Sequence, residues 1–65
     1  MAFESEHHIG KSRDRIAEEA VDRKREGDCD RFTFKDGSFI EINVHWGWQQ
    51  AFYPNGWNCT PAKWD

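Results

Sequence analysis

The chain has 65 residues, no leucine and ten aromatic residues, namely five Phe, four Trp and one Tyr. A chain this short buries only about 60% of its unfolded surface, which leaves room for one small domain over residues 1–65 and none for a deep enzyme cleft. Charged residues make up 32% of the chain and the net charge is −3, which is typical of a soluble protein without a polyanion-binding surface. The sequence contains no apolar run of about 18 residues for a membrane span and no secretory signal. We therefore expect a cytoplasmic protein.

The first predicted element is a helix over about residues 12–26, where charged residues and Ala dominate without Gly or Pro. Ser12 is the expected N-cap, and Gly27 is expected to end the helix in the left-handed conformation. The apolar stripe of this helix is narrow, so the helix needs a larger surface to pack on. Residues 1–8 and 61–65 are expected to be flexible.

The next predicted element is a β-hairpin, indicated by Asp36-Gly37 between strands at about 30–34 and 38–46. A second tight turn is predicted at 53–56, with Pro and Asn at its centre, and residues 57–60 could return as a short strand. The predicted fold class is α+β. One amphipathic helix packs on a small antiparallel β-hairpin or meander, in the order α-β-β with room for a third strand.

The alternation of apolar and polar residues fixes the register of the hairpin. A two-residue loop would place Phe32 opposite Glu41, whereas a three-residue loop over 35–37 places Phe32 opposite Ile40 and Arg31 opposite Glu41. A slip of one residue would exchange the two faces of the strand, so we predict a type I turn with Gly37 in a G1 bulge. This register gathers one apolar face, on which the helix is expected to pack: Phe32, Phe34, Ile40, Ile42, Val44 and Trp46. Continued alternation past Gly47 would add Trp48 to the same face.

The chain offers little for catalysis or metal binding. Cys29 and Cys59 could form a disulfide worth about 3–4 kcal/mol, but a reducing compartment favours two free thiols. Neither cysteine has a zinc-ligand spacing with His7, His8 or His45. In the predicted register Cys29 lies opposite Asn43, on the same outward face as His45, and a flat, wet strand face is poor ground for a reactive thiolate. We therefore expect a non-enzymatic protein with no catalytic residues, no metal and no cofactor.

Aromatic residues concentrate at the C-terminal end. Residues 45–65 hold all four Trp together with Phe52 and Tyr53, and contain no Val, Ile, Leu or Met. One alternative is that these rings fold back as an aromatic core in place of the missing leucines. One small helix cannot cover them all, however, and exposed aromatic rings are typical of binding hot spots or of self-association. We predict a partner-binding surface near residues 48–57, formed by Phe39, Trp48, Phe52, Tyr53, Trp57 and Trp64.

The predicted function is a small protein-interaction module that binds and modulates a larger host protein through this aromatic surface. A compact chain without catalytic residues is typical of phage or mobile-element accessory proteins, which can inhibit a partner by occupancy. The alternative is a single-stranded nucleic-acid-binding protein that stacks bases on its aromatic rings. Lys63 is the only basic residue after Lys35, which disfavours nucleic acid. Stacking of a carbohydrate on Trp46, Trp48 or Trp57 would require an exported protein.

Overall fold

The fold is α+β, with two short helices followed by an antiparallel β-meander. The computed structural model describes residues 3–59 and, for residues 63–64, the backbone only. The elements are α1 (Glu4–His8), α2 (Arg13–Glu19), β1 (Asp22–Glu26), β2 (Cys29–Thr33), β3 (Phe39–Asn43), β4 (Trp48–Phe52) and the two-residue β5 (Lys63–Trp64). The strands lie in the sheet in chain order, each antiparallel to the next.

The predicted register of the β2–β3 hairpin is confirmed. Phe32 lies opposite Ile40 and Arg31 opposite Glu41. The N–H of Gly37 donates to the carbonyl of Phe34 at 2.9 Å, and the φ of Gly37 is 90°. The three-residue loop and the left-handed glycine therefore follow from the Asp-Gly signal and from the apolar alternation.

The predicted helix over 12–26 is wrong in its second half. The hydroxyl of Ser12 does cap the helix, accepting from the N–H of Arg15 at 3.4 Å, but α2 ends at Glu19 and residues 22–26 form β1. Gly27, with a φ of 59°, occupies the first position of a two-residue hairpin loop of the type II′ kind instead of ending a helix. Only Ile16 of α2 is fully buried, so little packing holds a longer helix. Pairing with β2 outweighs the weak helical preference of the charged residues.

The predicted strand over 38–46 is also too long. β3 ends at Asn43, whose Oδ1 accepts from the N–H of His45 at 2.9 Å and from that of Trp46 at 2.7 Å. The resulting turn leaves Trp46 73% exposed instead of on the core face, and Val44 is half-buried in the same turn. It also reverses the alternation, so that Trp48 lies on the face opposite the core.

The chain ends differ from the prediction as well. Within residues 1–8, residues 4–8 form α1, in which Ser5 and His8 are buried, so this segment is not a loose end. The turn at 53–56 is confirmed, since the N–H of Gly56 donates to the carbonyl of Tyr53 at 2.9 Å. In place of a strand over 57–60, the described residues make an isolated bridge between Phe52 and Asn58. Residues 1, 2, 60–62 and 65, on which parts of these predictions fall, lie outside the described residues.

The core lies between the two helices and one face of the sheet. Its buried members are Ile16, Phe32, Phe34, Ile40, Ile42 and Ala51, and Ile9, Ala17, Ala20 and Cys59 pack against them. A buried amide adds a polar connection between the sheet and the segment that joins the helices. Gln49 is fully buried, and its Nε2 donates to the carbonyl of Lys11 at 2.8 Å while its Oε1 accepts from the N–H of Gly10 at 2.8 Å. Both helices are therefore held on the same side of the sheet.

Candidate functional site

The side of the sheet opposite the core is left open by both helices. Alternate residues of β2, β3 and β4 point to this side, and within the described part of the chain no element covers them. We call this surface the outer face; its half-buried members are Cys29, Arg31, Thr33, Phe39, Glu41, Trp48, Gln50 and Phe52. Residues 3–59 enclose no pocket, so the outer face is an open surface and not a cleft.

A stacked aromatic pair lies on the outer face. Phe39 and Phe52 are direct cross-strand neighbours, with ring centroids 4.8 Å apart and an angle of 12° between the ring planes. The guanidinium carbon of Arg31 lies 4.6 Å from the centroid of the Phe39 ring. Because β2 and β4 flank β3 on opposite sides, Arg31 and Phe52 occupy the two sides of the Phe39 ring. Aromatic stacking and the cation–π contact hold these three side chains together.

A charged strip runs beside this aromatic pair. The Nη2 of Arg31 lies 2.9 Å from a carboxylate oxygen of Glu41 and 2.7 Å from one of Glu26. Gln50 continues the strip, since it lies opposite Glu41 in the register. Two carboxylates therefore compensate the single cation, and the strip offers hydrogen-bonding groups without an excess of positive charge.

The six aromatic residues predicted to bind a partner do not form one surface. Phe39, Phe52 and Trp48 share the outer face. The backbone of Trp64 lies opposite that of Trp48 in the register, and its side chain is outside the described residues. Trp57 is 74% exposed and belongs to the turn that follows β4.

Tyr53 is engaged elsewhere. Its ring packs edge-on against Phe3, with centroids 5.3 Å apart and planes at 68°. The negative charge of Glu6, together with burial, raises the pKa of Tyr53, so the phenol stays neutral at physiological pH. Tyr53 therefore helps to hold α1 against the sheet.

Sequence reasoning missed the contribution of Arg31 to this site. Arg31 was recognised as the cross-strand partner of Glu41, which the structure confirms. Its position over the Phe39 ring depends on how the side chain reaches from β2 to the neighbouring strand β3, and no local sequence pattern indicates that. The stacking of Phe39 on Phe52 depends on the β3–β4 register. Asn43 and Gly47, which form the turn between these strands, were the available signal for that register.

The two cysteines are free thiols on different sides of the sheet. Cys29 lies on the outer face, and Cys59 packs against the core. Burial raises the pKa of the Cys59 thiol, and a hydrogen-bonding contact with the hydroxyl of Ser5 at 3.7 Å only partly offsets this. Cys59 is therefore held in its protonated form, which is a poor nucleophile. Among the described residues, no three His, Cys, Asp or Glu side chains converge on a metal-sized site.

Comparison with family models, with curated proteins and with solved structures finds no match to this chain. Within residues 3–59 and 63–64, no helix is both long and apolar enough to cross a membrane. The function therefore has to be inferred from the outer face and its charges.

Proposed function

We propose that this protein is a non-enzymatic binding module that attaches to a larger protein through its outer face. One observation supports this proposal. Both helices pack on the same side of the sheet and leave Phe39, Phe52 and Trp48 half-exposed on the other side. Large rings with few rotatable bonds lose little entropy when a partner covers them, which is why such residues dominate binding hot spots.

The contacts on the outer face also indicate the chemistry of the partner. Arg31 is already compensated by Glu26 and Glu41, so a partner with a strong net charge of either sign gains little there. The exposed side of Phe52 and the half-exposed ring of Trp48 favour apolar or aromatic side chains from the partner. Gln50 and the Arg31–Glu41 pair can supply hydrogen bonds around these rings.

Stacking of single-stranded nucleic acid is the weaker alternative. A base needs a free ring face, and Phe39 offers none, since it carries Phe52 on one side and Arg31 on the other. Only Phe52 and Trp48 keep an exposed ring face among the aromatic residues of the outer face. Nucleic-acid binding also needs uncompensated cations beside the stacking rings, whereas Arg31, the cation that lies over Phe39, bridges two carboxylates. If it occurs, it will quench tryptophan fluorescence on addition of oligonucleotides at low salt.

The size and composition of the chain are the only support for its biological role. A compact chain that offers a surface instead of a reactive site fits a cytoplasmic accessory protein of a phage or mobile element. Such a protein would modulate a larger host protein by occupying one of its surfaces. Affinity and the location of the blocked surface would then decide its effect.

The test is site-specific photocrosslinking. Phe52 is replaced by benzoylphenylalanine, which keeps an aromatic ring at the outer face, and Val21, which is 67% exposed near the start of β1, receives the same group as a control. We expect a discrete crosslinked protein from host lysate with the label at position 52 and none with the label at position 21. The purified partner should bind Phe52→Ser at least tenfold more weakly, but Val21→Ser within twofold of the unmodified protein. Equal crosslinking from both positions, or full affinity of a folded Phe52→Ser, would contradict the proposal.

A further inference from the structure

β1 is an edge strand with one side unpaired. Among the described residues it pairs only with β2, and all five of its residues are exposed. In such a strand, alternate residues turn their N–H and C=O groups away from the sheet, where a further extended segment can pair with them. Addition of a strand at a free sheet edge is a recurrent way of binding a peptide, with side chains deciding which peptide fits.

The charges along β1 follow the order negative, positive, positive, positive, negative. The three central cations are Arg23, Lys24 and Arg25, and they lie between Asp22 and Glu26. Among the described residues, neither Arg23 nor Lys24 makes an ion pair. Positive charge on this strand is therefore available to a partner.

β2 already shows how a carboxylate fits beside this strand. Asp30 lies directly opposite Arg25 in the register, and its Oδ1 is 2.5 Å from the Nε of Arg25. The other carboxylate oxygen is bound by Arg13 of α2, and Asp30 is almost completely buried. An acidic residue on the unpaired side of β1 would stand in the same relation to the strand as Asp30 does on the paired side.

We propose that β1 binds an extended acidic segment of another protein as an additional strand of the sheet. Carboxylates on this segment lie opposite Arg23, Lys24 and Arg25, and basic residues flank them opposite Asp22 and Glu26. This segment runs antiparallel to β1, as β2 does on the other side of the strand. The site adjoins the outer face, since Glu26 also contacts Arg31, but it uses the free edge of β1 and does not depend on the function proposed for the outer face.

A second copy of this chain is a poor occupant of the same edge. Consider β1 pairing antiparallel with β1 of another copy, with at least three residues in register. Every such arrangement sets at least one of the three central cations, Arg23, Lys24 and Arg25, directly opposite a cation of the other copy. Like charges in directly opposite positions destabilise a strand pair. The charges of β1 therefore disfavour self-association at this edge while leaving it open to a complementary segment.

The test uses a fluorescein-labelled peptide, Thr-Val-Lys-Glu-Glu-Glu-Lys-Val-Thr, with blocked termini, and fluorescence anisotropy at low ionic strength. We expect saturable binding, and none for the peptide in which Lys and Glu are exchanged. Two further peptides carry N-methyl groups, one on the central Glu and one on the two outer Glu residues. Neighbouring residues of an extended peptide direct their N–H groups to opposite edges, and only one edge faces β1. One of these two peptides should therefore lose binding and the other should retain it. Equal binding of both N-methylated peptides would show plain electrostatic attraction and overturn strand addition.

Protein variants locate the site. Arg23→Glu should weaken peptide binding at least tenfold. Lys35→Glu, which makes the same change of charge in the 79% exposed turn residue Lys35, should stay within twofold. Circular dichroism checks that both variants fold, and Arg23→Gln provides a milder second variant. Phe52→Ser should bind the peptide as the unmodified protein does, so failure here is distinguishable from failure of the outer-face proposal. An equal loss in Lys35→Glu, or full binding by folded Arg23→Glu and Arg23→Gln, would overturn the inference.

Discussion

The carboxylate of Asp36, in the β2–β3 turn, accepts a hydrogen bond from the backbone N–H of Glu4, with Oδ2 and N 2.8 Å apart. Its other oxygen accepts from the backbone N–H and the hydroxyl of Ser38, at 3.0 and 2.5 Å. The hydroxyl of Ser38 in turn accepts from the N–H of Ser5 at 3.1 Å. A turn in the middle of the chain thus satisfies the N–H groups of Glu4 and Ser5 at the start of α1, which the side chain of the N-cap residue Phe3 cannot do.

We therefore expect Asp36→Ala to detach α1 from the sheet. The loss of a capping carboxylate costs about 1–2 kcal/mol, and urea denaturation of the two proteins measures the difference. Lys35→Ala, in the same turn, is the matched control: its side chain is 79% exposed, and its ion pair with Glu4, at 4.0 Å, is a weak surface contact. The stability of this variant should change by less than about 0.5 kcal/mol. Amide hydrogen exchange should become faster in residues 4–8 of Asp36→Ala only. Unchanged protection of α1 in Asp36→Ala would contradict this account of the cap.

Acid should destabilise the protein through two carboxylates. The hydrogen bond from Arg25 and the charge of Arg13 hold the pKa of Asp30 below its usual value despite burial. Burial acts to raise the pKa of Asp36, but the hydrogen bonds from Ser38 and Glu4 outweigh it and lower the pKa. Each group therefore adds stability above its unfolded pKa of about 4, and loses that contribution as the pH falls through the lower folded-state value.

Urea denaturation at a series of pH values between 7 and 3 tests this. We expect the free energy of unfolding to be level near neutral pH and to fall in the acidic range. Asp30→Asn should be less stable at pH 7 and should show a shallower decline, because it lacks one of the two titrating groups. A decline as steep as that of the unmodified protein would show that Asp30 is not a source of the acid sensitivity.

Because the side-chain amide of Gln49 is buried, we expect Gln49→Glu to cause a large loss of stability. Gln49→Glu keeps the shape but replaces the donor to the Lys11 carbonyl with a carboxylate oxygen, in a fully buried position. An unsatisfied buried polar group costs about 1–3 kcal/mol, and more when it is charged. Gln50→Glu, on the half-buried outer face, is the control and should cost less than about 1 kcal/mol. Thermal melts of the two variants at pH 7 make the comparison, and similar melting temperatures would contradict it.

The stacked pair on the outer face should be energetically coupled. Phe39→Ala and Phe52→Ala each remove the same contact, in which the ring centroids lie 4.8 Å apart. We expect the double variant to be more stable than the sum of the two single losses predicts, by about 0.5–1.5 kcal/mol. Phe39→Ala combined with Val21→Ala is the control pair, and its effects should add. A coupling energy near zero would mean that the rings do not stack in solution.

Ala variants of Gly37 and Gly27 distinguish the cost of a positive φ from the cost of a steric contact. Gly37 has a φ of 90°, and a Cβ built on it would lie 3.3 Å from the Cβ of Pro54, whereas Gly27 has a φ of 59° and open space around it. Both Ala variants place an L residue at a positive φ that favours glycine, which costs about 1–3 kcal/mol. Gly37→Ala should cost more than Gly27→Ala, because the turns that contain Gly37 and Pro54 must move apart. Equal losses in chemical denaturation would show that the turns adjust freely.

The extent of correct prediction differs between elements for physical reasons. The β2–β3 hairpin was predictable because its register is set by residues close in sequence, and only one register keeps Glu41 away from Phe32. The start of α2 was predictable because a cap acts on the N–H groups of the next turn. β1 was not, because its charged residues favour a helix locally and form a strand only when β2 lies alongside. α1 was not, because its cap at Asp36 comes from a distant part of the chain.

The outer face, too, was predictable from the sequence only in part. Composition and alternation are enough to predict that this leucine-free chain has more rings than one small helix can cover, and that Phe39 points away from the core. They could not group the rings, because the alternation was extended through Asn43–Gly47, where a turn interrupts it and places Trp48 on the outer face while Trp46 points to solvent. Tertiary structure alone decided that Phe52 stacks on Phe39, that Tyr53 packs on Phe3, and that β1 keeps a free edge. Each of these depends on which strand lies beside which, and strand neighbours are chosen by the packing of the whole chain.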